Sequence, residues 1–448
     1  MKNHEAVVIG AGPGGYEAAL QLARSGVKTL VIEQIEERIG GTCLNEGCIP
    51  TKNYLRSAQY FSKASFFKEN GLDIEVSGLD LSRLKNRTDL LKNELRSGLL
   101  WMMKQAGIEF LYGTAHFVDD ETIEVAGEKI TFDKCIIATG SQVKALPLLP
   151  IDGKNIISSR EIFKLEKLPE SIAIIGGGAI GCEFATFFNA FGVDVTLVEY
   201  LSQLVPSEDA DIAAALMRGF KKQRINVLTS SFVQKAQQKK DGVELHISGQ
   251  MQDIIMCETV LCATGRIPYT QGLGIENCSV KVNEKGFIEV NESFQTANKN
   301  IYAVGDCIET IAYAHTAYAE AKIAVQNIIN HSSEVNSHVT PSVVFSNPAI
   351  GSCGIKEKEA KEKGFDIEVK KAFFKANPKA KIEGDDSGFA KIIVCANSGV
   401  ILGSSIIGAG AAEIIHEMVL AVEKKIKIEE FKGIIHAHPT FSEILSSL

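Results

Sequence analysis

Three absences narrow the reading first. The chain has no dominant charge sign, with 47 basic residues against 55 acidic ones and a net charge of -8. That balance gives no electrostatic case for nucleic acid or an anionic membrane as the main partner. Cysteine is sparse, ten in 448 residues, too dilute for a disulfide scaffold and in keeping with a reducing, cytoplasmic compartment. No apolar run is long without interruption. Val7 to Ala23 imitates a signal peptide until Glu17 and the Gly10/Gly12/Gly14/Gly15 cluster break it, and Ile172 to Phe191 carries Glu183 and four glycines. Neither stretch is expected to cross a membrane.

What is present describes a folded protein of about three domains at roughly 150 residues each. Its strongest internal signal is a repeat. Ala6-Val-Val-Ile-Gly10-Ala-Gly12-Pro-Gly-Gly15 returns 166 residues later as Ile172-Ala-Ile-Ile-Gly176-Gly-Gly178-Ala-Ile-Gly181. Each copy reads as an apolar strand, a G-x-G-x-x-G turn and an Ala-rich helix (Tyr16 to Arg24; Cys182 to Ala190). Each then closes a second strand on a carboxylate, Glu33 or Glu199, 23 residues beyond the first glycine. A lone glycine motif is weak, but strand, turn, helix and distant acid together meet the dinucleotide-binding fingerprint. The first glycine permits the tight turn, the second lets backbone approach a pyrophosphate, and the third lets helix and strand pack. The unpaired N–H groups of the helix N-terminus receive the anion.

Between the copies, a strand ending Ala138-Thr139-Gly140-Ser141 and the prolines Pro147 and Pro150 place a boundary near residue 146. A second Ala263-Thr264-Gly265-Arg266 marks the end of the second nucleotide unit, and a buried strand then meets Gly305-Asp306 before a helix from about Thr316 to Asn330. Beyond Pro341, short strands mix with helices. The expected fold is α/β: two Rossmann-like dinucleotide-binding domains, a central region and a C-terminal α+β domain, divided as 1–146, 147–264, 265–336 and 337–448. The lysine-rich stretch Lys356 to Lys381 also carries acids and reads as a solvated face.

Cys43 and Cys48 stand in Gly40-Gly-Thr-Cys-Leu-Asn-Glu-Gly-Cys-Ile-Pro-Thr-Lys52, directly after the first nucleotide unit. Five steps on a regular helix point two side chains apart, so a bridge requires a distorted segment, which Gly47 and Pro50 can supply. Spacing leaves two readings open, a working dithiol and two unbridged core cysteines. A reducing compartment and a neighbouring nucleotide site favour the dithiol, which would act through mixed disulfides.

This segment resembles the active-site signature of the pyridine nucleotide-disulfide oxidoreductases, and the resemblance runs along essentially the whole chain. The nearest likeness is to members that oxidise dihydrolipoamide with NAD+. It implies an FAD domain, an inserted NAD domain, a central domain completing the FAD site and a C-terminal dimerisation domain. Gly10, Gly12, Gly15 and Glu33 would hold the ADP half of FAD, and Gly176, Gly178, Gly181 and Glu199 would hold NAD. Thr139, Gly140 and Gly265 belong to the same cofactor surfaces. Asp306 would bind the ribityl chain, and backbone at Ala314 and His315, opening a helix, would face the flavin ring. Lys52 and Glu183 match a lysine–glutamate pair near the flavin, where pairing answers the cost of burying either charge.

The resemblance also assigns the base. His436-Ala437-His438-Pro439-Thr440-Phe441-Ser442-Glu443 matches the family's H-P-T-x-x-E segment, with His438 accepting a thiol proton and Glu443 orienting it. Substrate thiolate would attack Cys43, Cys48 would leave toward the flavin, and hydride would pass from FAD to NAD+. The histidine would serve the other subunit of a homodimer. The lipoyl substrate would be carried on a protein, with no nucleic acid or membrane partner. Glu199 favours NAD over NADP by repelling a 2'-phosphate, and no cysteine follows Cys395, against mercuric and large thioredoxin reductases. His416 beside Glu417 lacks a second metal-binding histidine, and the scatter of Cys135, Cys182, Cys257, Cys262, Cys278, Cys307, Cys353 and Cys395 indicates packing without a metal site. Two positions depart from the pattern: Thr51 replaces a serine, and Glu46 stands where an apolar residue is common and should raise the Cys48 thiolate pKa. The competing class is a non-catalytic flavoprotein serving as scaffold or redox sensor; the intact cysteine pair and His438/Glu443 weigh against it.

Overall fold

Continuous apolar runs, rather than alternating ones, mark strands covered on both faces, as in parallel sheets. The computed structural model, which describes residues 2–250, 252–330 and 338–448, forms such sheets at both copies of the repeat. The chain divides into two compact units. The first draws on residues within Met1–Thr51, Ser82–Lys144 and Gly265–Ser337, the second on Lys52–Leu81, Ala145–Thr264 and His338–Leu448. The boundary expected at 336/337 lies outside the described residues.

In the first unit, strands Glu109–Tyr112, Thr29–Glu33, Lys2–Ile9 and Glu128–Ile137 lie side by side in parallel. The last of these is long enough to take two neighbours on its far edge. Thr122–Val125 pairs antiparallel with its first half, and Ile301–Ala303 pairs parallel with Cys135 to Ile137. The glycine turn of the first copy therefore sits at the carboxyl ends of the strands, where open α/β sheets bind ligands. Helices Pro13–Arg24 and Ala314–Asn330 pack on each other above it.

In the second unit, five parallel strands run in the order Asn226–Leu228, Asp194–Val198, Ser171–Ile175, Thr259–Cys262, Ile156–Ser158. The C-terminal region is an antiparallel sheet ordered Ser342–Val344, Ile350–Gly354, Ile401–Gly408, Gly388–Cys395, Ile367–Phe373, with helix Ala411–Glu423 packed on its inner strands. The mixed α/β class expected from the repeat is the class observed. Missing from the sequence reading were the three-stranded sheet Ser231–Lys239, Gly242–Gly249 and Asp253–Cys257, and the helix Leu81–Gln105. That helix buries Leu81, Leu84, Thr88, Leu99 and Met103, a spacing of three and four residues that marks one helical face.

The solvated-face reading of Lys356 to Lys381 needs a correction. Lys361 and Lys363 do form exposed pairs one turn from Glu357 and Glu359, but Lys356 is largely covered and reaches Glu208, and Lys371 reaches Asp211. Among the described residues no helix is long and apolar enough to cross a membrane.

Candidate active site

The two copies of the repeat share their turn geometry. Gly10 and Gly176 have φ of +97° and +114°, conformations that side-chain-bearing residues avoid. A Cβ on Gly15 would lie 1.8 Å from Gly10 O, and one on Gly181 would lie 1.9 Å from Gly176 O, so each third glycine is required by helix–strand contact. The helix caps Gly12 and Gly178 are both extended. Nothing lies within 4 Å of a Cβ built on Gly178; the backbone there is open to an approaching ligand.

The distant carboxylates close back on these turns. Glu33 accepts N–H from Ala11 at 2.9 Å and from Gln34 at 2.7 Å. Glu199 accepts from Gly177 at 2.5 Å and from Leu201 at 2.7 Å. A carboxylate has about four acceptor positions, so each retains capacity for ribose hydroxyls. Burial pushes the Glu33 carboxyl above its ordinary value, while the Ala11 and Gln34 N–H groups pull it back.

Further along the first unit, Gly140 and Gly265 are left-handed and lead into the paired strands Ser141–Val143 and Arg266–Pro268. There the Ser141 hydroxyl donates to Asp306 at 2.6 Å and accepts from Arg266 Nε at 2.7 Å. Gly305, which precedes Asp306, donates its N–H to the buried Glu320 at 2.6 Å. Ala314 opens its helix as expected. Among the described residues the hydroxyl oxygens of Thr139 and Thr316 are buried without a hydrogen-bond partner, an arrangement that a bound polar group would complete. Open glycine turns, carboxylates with spare acceptors and orphaned hydroxyls all fit the dinucleotide cofactors. Ser141, Arg266, Thr316 and Glu320 were not singled out from sequence, although the repeated Ala-Thr-Gly at Ala138 and Ala263 was a signal for the first two.

Cys43 lies in the short helix Gly41–Asn45 and Cys48 opens the helix Cys48–Ser62. Gly47 brings the chain back: a Cβ on it would be 3.0 Å from Thr42 O and 3.5 Å from Cys43 Cα. The break between the helices is a distortion of the kind that a Cys43–Cys48 bridge would require. Cys43 is half-buried and Cys48 exposed. Glu46, between them, pairs with Arg38 at 3.4 Å. In the helix that follows the first glycine turn, Tyr16 shares a hydroxyl–hydroxyl hydrogen bond with Tyr318. Burial first, then the neighbouring Tyr318 through that bond and its charge, push the Tyr16 hydroxyl far above its usual range.

The second unit holds the remaining charges. Lys52 Nζ sits 2.9 and 2.8 Å from the two oxygens of Glu183, which also accepts N–H from Phe345 at 3.1 Å. Phe345 places its ring 4.7 Å from the Lys52 ammonium, a cation–π contact the sequence did not disclose. His438 Nδ1 meets Glu443 Oε1, and Thr440 N–H meets Glu443 Oε2. The Thr440 N–H, then His438, hold the Glu443 carboxyl below its ordinary value. His436 is nearly buried, bridging Glu417 at 2.7 Å and Ser446 at 2.6 Å. Glu417, beside the exposed His416, therefore has a partner in the terminal segment. No cluster of metal-ligating side chains occurs among the described residues. Six of the other cysteines are buried and two intermediate, with burial pushing the Cys257 and Cys262 thiols up to about 11.

Residues 4–321 match the family described as pyridine nucleotide-disulphide oxidoreductase, and residues 340–448 match its dimerisation domain. The chain is 35% identical to the dihydrolipoyl dehydrogenase of Geobacillus stearothermophilus, over 98% of this chain and 94% of the relative. It is 35% identical to the mitochondrial dihydrolipoyl dehydrogenase of Schizosaccharomyces pombe, over 98% and 88%. Among solved structures, the HOCl-induced flavoprotein disulfide reductase RclA of Escherichia coli, as a Cu(II) complex, superposes with a TM-score of 0.90 at 29% identity, covering 100% of this chain and 99% of that one.

Proposed function

The chain belongs to the pyridine nucleotide-disulphide oxidoreductases, and we propose that within them it oxidises dihydrolipoamide to lipoamide with NAD+ as acceptor. It is an oxidoreductase whose cofactors are FAD and NAD. The observation that carries the dithiol chemistry is the His438–Glu443 hydrogen bond. By occupying Nδ1 it leaves Nε2 as the position for proton uptake, and the carboxylate stabilises the imidazolium that results. Full-length identity to dihydrolipoyl dehydrogenases supports the choice of substrate.

In this reading His438 Nε2 takes a proton from one substrate thiol. The thiolate attacks the Cys43 sulfur, the Cys43–Cys48 bond breaks and Cys48 leaves as thiolate. The second substrate thiol attacks the mixed disulfide, its proton passing to the Cys43 sulfur as that sulfur leaves; the cyclic disulfide departs, so the substrate's electron pair rests on the two protein sulfurs. FAD and NAD+ supply the redox chemistry that returns the pair to its oxidised form. Gly10, Gly12, Gly15, Glu33, Thr139, Gly140, Gly265, Asp306 and Ala314 would hold FAD. Gly176, Gly178, Gly181 and Glu199 would hold NAD, and Lys52 with Glu183 would be the charge pair that the family places near the flavin. The dimerisation match supports a homodimer in which His438 serves the partner's cysteines. The substrate lipoyl group would be carried on a protein in the cytoplasm, as the dilute cysteine content supports.

Steady-state kinetics of wild type and His438→Gln test this. Wild type should oxidise dihydrolipoamide with NAD+, and His438→Gln should lose about 10²-fold or more in kcat/KM. Reduction of other disulfides by NADH without lipoamide activity would instead favour a reductase similar to RclA. A yellow protein inert to every dithiol would favour a scaffold.

A further inference from the structure

Between Glu199 and the helix Ala210–Lys222 runs a loop with two differently anchored halves. Its first half lies on the second glycine turn. Val205 donates N–H to Gly177 O at 2.8 Å, and Leu204 packs so closely that a Cβ on Gly177 would lie 2.5 Å from it. Val205 has a φ of +43°, strained for a β-branched residue, so surrounding contacts must hold it there.

The second half supplies those contacts through the C-terminal sheet. Glu208 is buried and accepts from Ser352 and from Lys356, each at 2.7 Å. Asp209 lies 2.7 Å from Lys391 Nζ and accepts N–H from Glu357 at 3.1 Å. Lys391 is 0% exposed and also meets Asp211 at 2.8 Å and Glu357 at 3.5 Å. Burial alone would push its ammonium down, but the carboxylates outweigh it and hold the group charged. A buried ion pair is a weak source of stability against apolar packing, yet breaking one is costly, so its effect is to fix geometry.

We propose that Lys356 and Lys391 are positioning residues for the pyridine nucleotide: through Glu208 and Asp209 they hold the 204–209 loop against Gly177 and set the opening in which the nucleotide binds. The proposal rests on reading the second glycine turn as the NAD site. The lysines reach the loop through Glu208 and Asp209, so the effect should appear in NAD+ affinity and not in dithiol handling.

The experiment uses the FAD-loaded enzyme, with NAD+ varied in initial-rate and binding titrations. Lys356→Met, Lys391→Met and Glu208→Gln should each raise the KM and dissociation constant for NAD+ roughly threefold to thirtyfold. The KM for dihydrolipoamide and the flavin content should stay unchanged, and Lys356→Arg should return NAD+ affinity to near wild type. Glu208→Gln keeps the volume and an acceptor for Ser352, so it serves where Lys391→Met does not fold. Glu199→Gln is the control for the site itself. If it weakens NAD+ binding while the other variants only lower the melting temperature, the positioning role is overturned and the NAD reading stands. If Glu199→Gln also leaves NAD+ binding intact, the NAD reading fails and the proposal with it.

Discussion

His438 Nδ1 lies 2.8 Å from Glu443 Oε1, and the other oxygen of that carboxylate is held at 2.7 Å by the Thr440 N–H. The hydrogen bonds keep Glu443 ionised to a pH below its ordinary value, so its support for the histidine is complete at neutral pH and is lost only as pH falls through that lowered value. Glu443→Gln should therefore cut dithiol oxidation by about tenfold or more with unchanged flavin content, measured as kcat/KM against pH. A dimer that joins a Cys48→Ser subunit to a His438→Gln subunit should recover activity that neither homodimer has. Absence of recovery would place histidine and cysteines on the same chain.

Lys52 is 34% exposed in its side chain while Glu183 is only 5% exposed. Lys52→Met would leave Glu183 the Phe345 N–H as a donor and should destabilise the fold by about 1–3 kcal/mol, short of the cost for a fully buried pair. Urea titration of the holoenzyme reads this, and a change under about 0.3 kcal/mol would show the pair to be incidental.

Glu46 does not act on the cysteines as a lone charge, because Arg38 sits 3.4 Å from it with 39% of its side chain exposed. The expectation of a raised Cys48 pKa is thus reduced by a neighbouring cation. Arg38→Gln should move Cys48 alkylation to higher pH and Glu46→Val to lower pH, each by less than about one unit. Mass-spectrometric alkylation rates of Cys48 across pH would detect either; equal profiles in both variants would rule out the electrostatic link.

The two glycines of one turn should fail differently. Gly181→Ala places a methyl group 1.9 Å from Gly176 O and should cost several kcal/mol, on the order of 3, or prevent folding. Gly178→Ala meets no protein atom within 4 Å, so its melting temperature should match wild type while NAD+ binding weakens. Unchanged NAD+ titration of Gly178→Ala would exclude this turn as the nucleotide site.

Glu320 is buried, and burial pushes its carboxyl above the ordinary value although Gly305 donates to it. Its folded pKa is raised, so the cost of the charged form is absent below the unfolded value, grows as pH rises through the window between the two, and is constant above. Glu320→Gln should consequently gain stability over wild type as pH rises from about 4.5. Thermal scans at acid and neutral pH compare the two, and a constant difference would mean that the carboxyl is not titrating in that window.

The sequence by itself determined the duplicated strand–turn–helix, because each glycine requirement is local: a left-handed φ at Gly10 and Gly176, and a missing Cβ at Gly15 and Gly181. It also set a condition on the Cys43 to Cys48 segment: a bridge there requires a break in the helix, since five residues do not bring side chains together at 100° per residue. Tertiary structure alone decided the rest. Lys356 stands in a charged stretch of the sequence and Lys391 inside an apolar strand, and only the tertiary fold brings them to Glu208 and Asp209. Arg38 beside Glu46, Phe345 over Lys52 and the serine between Asp306 and Arg266 have the same origin. Periodicity and motif spacing report what neighbouring residues demand of one backbone, whereas the partner of a charge is set by whichever segments the sheets and helices carry to it.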